Sequence, residues 1–277
     1  MARRTIAARL ILAVLAAACQ ATPPEAESAS EKQPPALKPS ILGSTLGEAD
    51  AQTAEVSTEE LIGALAEGNA VLLDTRPRLE WAISHIPGAL NVAPKPGMPM
   101  SEYTSDAAEV GRLVAGEKTT PLILYCSGPF CGKSKRVAAD LIAEGYTDVR
   151  RYQLGTPVWR ALGGVMVIEP EGARHVFEQD RTAVWIDVRD AEEFQSGTIP
   201  GAKNLPRSGV LPGKDVGEVR AAKDDGRLPV RDHNTRLIVF GADGAQAKAV
   251  AEALAREAFH NVTYFDGSLD SLQAALN

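Results

Sequence analysis

The chain has 277 residues, 44% of them hydrophobic and 23% charged, with a formal net charge of −7. That length exceeds what one small core needs. The acidic balance argues against binding to nucleic acid or to an anionic membrane face.

Residues 1–21 read as a processing segment and are set apart from the fold. Arg3 and Arg4 form a basic start, and Ile6 to Ala18 is apolar apart from Arg9. At about 13 residues this run is too short for a permanent membrane span. It closes on Leu15-Ala16-Ala17-Ala18-Cys19, which resembles a bacterial lipobox. Ala16 stands where that box usually has leucine, so two outcomes stay open: lipid on Cys19 as the mature N-terminus, or cleavage after Ala18 or Ala21. Both export the chain, to the periplasm and, with lipid, onto a membrane. Losing the three arginines takes the charge from −7 to −10. Residues 22–44, rich in Pro, Ala, Ser and Glu, read as a disordered tether with too few apolar side chains to offset ordering.

A repeat organises the remainder. Ala70-Val-Leu-Leu-Asp74-Thr-Arg76, then Glu80-Trp81, His85 and Ile86-Pro87-Gly88-Ala89, recurs 113 residues later. The second copy reads Ala183-Val-Trp-Ile-Asp187-Val-Arg189, Glu193-Phe194, Thr198 and Ile199-Pro200-Gly201-Ala202. Strand-like runs alternate with helical patterns in both, which predicts two parallel α/β domains at 45–165 and 172–277. The joint is short, so the domains are expected to pack together. Arg76 is expected to pair with Glu80, with substrate contact as the alternative. His85 is expected to be structural.

Within the first copy, Leu122-Ile123-Leu124-Tyr125 runs into Cys126, a Gly/Pro loop follows, and a helical pattern places Val137, Ala138, Leu141 and Ile142 on one face. The strand delivers Cys126 to the carboxyl edge of a sheet, where open α/β folds bind ligands. The helix N-terminus beyond it favours an anion and lowers a thiol pKa. The loop Ser127, Gly128, Pro129, Phe130, Gly132, Lys133 and Ser134 is the expected substrate cradle, with Lys133 and Arg136 as cations absent from the second copy. That copy has Gly241-Ala242-Asp243-Gly244 in place of the cysteine loop. A cysteine filling a small apolar space is the plain alternative. No metal is expected, because only Cys126 and Cys131 remain beside scattered histidines, and no cofactor fingerprint is present.

Asp-x-Arg-x-x-x-Glu-aromatic, Ile-Pro-Gly-Ala, the cysteine loop, and then Gly155 and Trp159 together resemble the rhodanese (sulfurtransferase) family. The likeness implies two tandem rhodanese-like domains, each a small parallel sheet flanked by helices. It also implies sulfur carried as a persulfide on Cys126, between a small anionic donor and a thiol or cyanide acceptor. Two features depart from the family. The usual loop resembles Cys-x4-Arg-[Ser/Thr], whereas here Gly132 and Lys133 follow Cys131. The active loop also lies in the first copy. A phosphatase-type Cys-x5-Arg fails at Gly132. Three readings therefore stand: an exported sulfurtransferase, a dithiol redox protein using Cys126 and Cys131, and a non-catalytic binding module. Cys131 is either a resolving thiol or a small residue turned under the helix.

Overall fold

Four strands read from the repeat stand as two matched pairs: Val71–Asp74 (β2) beside Leu122–Tyr125 (β4), and Val184–Asp187 (β7) beside Leu237–Gly241 (β9), all parallel. The computed structural model describes residues 40–49, 51–94 and 105–277; Cys19 and most of the expected tether lie outside them. The first sheet is completed by Ala54–Glu55 (β1), Leu90–Asn91 (β3) and Val149–Tyr152 (β5) in the order β1-β5-β4-β2-β3. Met166–Ile168 (β6), Lys203–Asn204 (β8) and Val262–Ser268 (β10) complete the second in the order β6-β10-β9-β7-β8. Both sheets are wholly parallel α/β units with helices on their faces, as the resemblance implied. β4 is buried at all four positions, which is why it reads as a continuous apolar run without alternation.

The helices of the first half are Thr58–Glu67 (α1), Arg78–Ile83 (α2), Asp106–Leu113 (α3), Gly132–Ala143 (α4) and Gly155–Ala161 (α5). Those of the second are Pro170–Gln179 (α6), Ala191–Ser196 (α7), Gly217–Asp224 (α8), Gly244–Arg256 (α9) and Leu269–Leu276 (α10). α1 begins on a capping box, Ser57 with Glu60, and ends at Gly68 in the left-handed region. On α4, Val137, Ala138 and Leu141 are buried as the periodicity predicts, but Ile142 is 41% exposed at the edge of the stripe.

The register carries the repeat. Val71 faces Leu122 in one sheet and Val184 faces Leu237 in the other, so the offset is 113 from β2 to β7 but 115 from β4 to β9, and 113 again along the helix that follows. The second loop is therefore two residues shorter, and a cysteine loop is what the shortening removes.

β6 falls between the two spans expected for the domains. It hydrogen-bonds to β10 of the second sheet, yet its Met166 side chain is buried in the core of the first half. The seam around it is close. His85 and Val167 exchange backbone hydrogen bonds at 3.0 and 2.8 Å, and Glu169 N donates to Ala82 O at 2.8 Å. Arg78 Nε pairs with Glu171 at 2.7 Å. A Cβ on Gly172 would lie 2.1 Å from Ala82 O, so α6 approaches α2 to a distance that only glycine permits.

Candidate active site

Cys126 stands one residue beyond β4, at the carboxyl edge of the first sheet, and is only 4% exposed. Its neighbours are fixed by backbone. Thr75 donates to Tyr125 O through both N (3.0 Å) and Oγ1 (2.9 Å), and Thr156 N donates to Cys126 O at 3.3 Å. Gly128 takes φ 142° and lies against the Pro157 ring. Cys131 N then donates to Gly128 O at 3.1 Å, turning the chain into α4.

That turn joins Cys126 to Cys131 in a disulfide with the Cα atoms 6.1 Å apart, inside the roughly 4.4–6.8 Å that a disulfide spans. The side chain of Cys131 is thus directed at Cys126 and not beneath the helix. Cys131 is the N-cap of α4 and makes no side-chain capping bond, and no acidic residue sits in the first turn. The leading N–H groups of a 12-residue helix are therefore not taken by a capping side chain, next to the sulfur.

The corresponding helix of the second half is filled by its own carboxylates. Asp243 caps α9, accepting from Gln246 N at 2.8 Å, and Asp266 Oδ1 lies 1.9 Å from where a Cβ on Gly244 would stand. That half lacks the thiol and also the vacant positive end.

The remaining loop residues are arrayed around this turn. Ser127 is exposed with Oγ 3.5 Å from Glu80 Oε2, Phe130 is fully exposed at 102%, and Ser134 is buried. Pro129 is half-buried and Gly132 exposed. Lys133 and Arg136 both lean on Asp106, at 3.8 and 3.3 Å. Lys135 pairs with Glu48 at 2.6 Å, and Lys135, then Arg151, hold the Glu48 carboxyl down to about 2.

Arg76 does not pair with Glu80. Its guanidinium is buried against Asp74 (Nη2 to Oδ2, 2.5 Å) and donates to Ser84 O at 2.6 Å. Arg189 repeats this with Asp187 and Gly197 O. An arginine two residues after an aspartate at a strand end folds back on it more readily than it reaches the next helix; the shared Asp-x-Arg spacing carried that signal.

His85 stacks on Trp81 with centroids 4.4 Å apart, and its Nδ1 lies 3.0 Å from Trp81 O. Burial pushes its pKa down to about 4. Its ring lines a cleft of about 700 Å³ at the seam, with Glu169 and Asp266. Among the described residues no group of three His, Cys, Asp or Glu is placed to hold a metal ion.

The Rhodanese-like domain description matches this chain twice, over residues 57–162 and 171–275. The chain belongs to the rhodanese-like family. A Mycobacterium tuberculosis protein named "Putative thiosulfate sulfurtransferase SseB" is 26% identical over 257 residues, covering 72% of this chain and 87% of that one. The HTH-type transcriptional regulator Rv0324 of the same organism is 28% identical over 108 residues, covering 39% of this chain and 42% of the regulator. A crystal structure of thiosulfate sulfurtransferase from Pseudomonas aeruginosa matches with a TM-score of 0.33 and 22% identity, over 78% of this chain and 43% of that one. This rhodanese-like chain thus spans less than half the length of the regulator and of the solved transferase.

Proposed function

We propose that this rhodanese-like protein is an exported sulfurtransferase that carries sulfane sulfur on Cys126. The observation that carries the reading is the placement of Cys126 beside the uncapped N-terminus of α4. With the disulfide reduced by an external dithiol, the Cys126 thiolate attacks the outer sulfur of an anionic donor such as thiosulfate. A Cys126–S–S⁻ persulfide forms as the donor's S–S bond breaks, and sulfite leaves with the bonding pair. An acceptor thiolate or cyanide then takes the terminal sulfur and restores the thiolate. Helix-end N–H groups favour both anions without a general base, which fits a loop lacking the usual arginine. Lys133 and Arg136 add positive charge beside the mouth.

The Cys126–Cys131 disulfide favours a second reading, dithiol–disulfide exchange. Intact mass of reduced protein incubated with thiosulfate, mercaptopyruvate or glutathione persulfide separates the two. One added sulfur atom on Cys126 supports transfer; loss of two hydrogens alone supports exchange. An unchanged thiol rejects both.

Export rests on residues 1–21 and the run ending at Cys19. We place lipid on Cys19 and the folded part in the periplasm, held to the membrane through that lipid. Mass analysis of the mature N-terminal peptide tests this, and a peptide beginning at an unmodified Cys19 or at Thr22 overturns it.

A further inference from the structure

Arg160 closes the last turn of α5. Its Nη2 donates to Ser84 Oγ at 2.6 Å, while its Nε is buried without a partner. Among the described residues no carboxylate lies within ion-pair distance of it. The charges that do reach it are cations: Arg236, committed to Asp180 at 3.2 Å, and Arg76, committed to Asp74 at 2.5 Å. Burial first, then these two arginines, bring its pKa down to about 10, so it stays charged at neutral pH. A half-buried guanidinium whose Nε is shut away from water without a partner, and which has no counter-charge, is costly to the fold. Gln273 stands 113 residues on, at the matching place in the second half, so the architecture does not require a cation there.

Beside Arg160 is a cavity of about 390 Å³, lined by Pro157, Arg160 and Ala161 of α5 and by Asn234, His260 and Asn261 of the second half. None of these residues is acidic. Arg160, His260 and Asn234 offer a guanidinium, an imidazole and an amide that can donate hydrogen bonds, whereas Asn261 Nδ2 already donates to Asn234 O at 3.1 Å and its Oδ1 is buried without a partner.

We propose that this cavity is a binding site for a small oxyanion of the sulfate, sulfite or phosphate class, with the Arg160 guanidinium as its principal ligand. The anion supplies the missing counter-charge, and a guanidinium fork matches two of its oxygens. The site is separate from the thiol but mechanically joined to it. At the other end of the same short helix, Thr156 N bonds Cys126 O and the Pro157 ring rests on Gly128. Occupancy therefore steadies the helix against which the cysteine loop is packed.

The test uses the full chain carrying Cys126→Ser and Cys131→Ser, so that thiol chemistry contributes nothing. Thermal unfolding is followed in sodium sulfate and sodium phosphate against sodium chloride at equal ionic strength, with calorimetric titration of sulfate alongside. A saturable rise in Tm with sulfate and phosphate, absent in chloride, is expected. Arg160→Met should weaken sulfate binding by about tenfold or more. Without oxyanion it should be no less stable than its parent, because an uncompensated, half-buried charge is removed. Asn234→Asp, which places a carboxylate in the cavity, should raise Tm in chloride and abolish the sulfate response. Equal responses to sulfate and chloride, or a sulfate response unchanged in Arg160→Met, overturn the proposal. So does an Arg160→Met protein that is destabilised while its parent ignores sulfate, since Arg160 then serves only Ser84. None of these outcomes bears on sulfur transfer by the unmodified thiols.

Discussion

The carbonyl oxygen of Cys126 lies 2.5 Å from the position a Cβ would take on Gly155, whose φ is +65°. Gly128 N and Cα crowd the same point at 2.7 and 2.8 Å. α5 thus begins in contact with the backbone of the cysteine loop, and only a residue without a side chain can begin it there. Gly155→Ala is expected to cost about 2 kcal/mol or more, from the left-handed backbone and the backbone clash together. Sulfur uptake should fall with it as the loop shifts. Gly145→Ala is the control, because φ is +91° there with nothing within 4 Å of a Cβ. Urea unfolding of the two variants should differ clearly; equal losses would show that backbone conformation alone matters.

Cys126→Ser should carry no sulfur while melting close to a reduced wild type, since the exchange is nearly isosteric. Cys131→Ser should still load Cys126 but lose protection. In the wild type, the Cys131 thiolate can attack Cys126 Sγ of the protonated persulfide, Cys126–S–SH; HS⁻ leaves with the bonding pair and the persulfide's proton, and the disulfide forms. Under peroxide the wild type should therefore stop at the disulfide, and the variant should proceed to sulfinic acid at Cys126. Peptide mass mapping reads both, and equal over-oxidation of the two proteins rules out a resolving role.

His85 makes stability depend on pH in one direction. Burial lowers its folded pKa from 6.5 to about 4, so the unfolded chain binds a proton that the folded chain refuses. Its contribution is complete above about pH 6.5, falls as pH drops toward 4 and is constant below, up to roughly 3 kcal/mol. Glu169, 3.6 Å away, acts with the opposite sign, because burial raises its pKa and its stabilising proton is lost as pH rises. The comparison is therefore between wild type and His85→Gln, by chemical unfolding from pH 4 to 7. The variant should lose less stability on acidification; identical slopes would exclude His85 as the source.

Gly172→Ala should act at the seam. Its new methyl would meet Ala82 O, Ala82 C and Ile83 N at 2.1, 2.3 and 2.6 Å. Overpacking of this kind costs about 1–3 kcal/mol. Because α6 here is pressed onto α2, the two halves should also lose cooperativity. A calorimetric melt is expected to broaden or split; a sharp single transition at the wild-type temperature would contradict the close approach.

The duplicated pattern determined the paired parallel sheets, the loop position of Cys126 and the absence of a thiol from the second half. Those are local matters: a β-type run ending at a cysteine, followed by helical spacing, leaves the chain few options. Partner choice for charged groups was not local. Arg76 faced both Asp74 and Glu80 in sequence, and the fold-back after β2 selected Asp74. Asp106 and Glu48, which take the cations around the loop, approach across long sequence separations, and no motif marks them. Neither is Arg160 marked as unusual in the sequence. It stands out only because α5 is buried against Ser84 and beside two arginines already paired, so that desolvation and like charge meet at one guanidinium. The disulfide lies between the two cases. Five residues of spacing permitted it, but the Gly128–Cys131 turn, held by Pro157 and Gly155, brought the two sulfurs together.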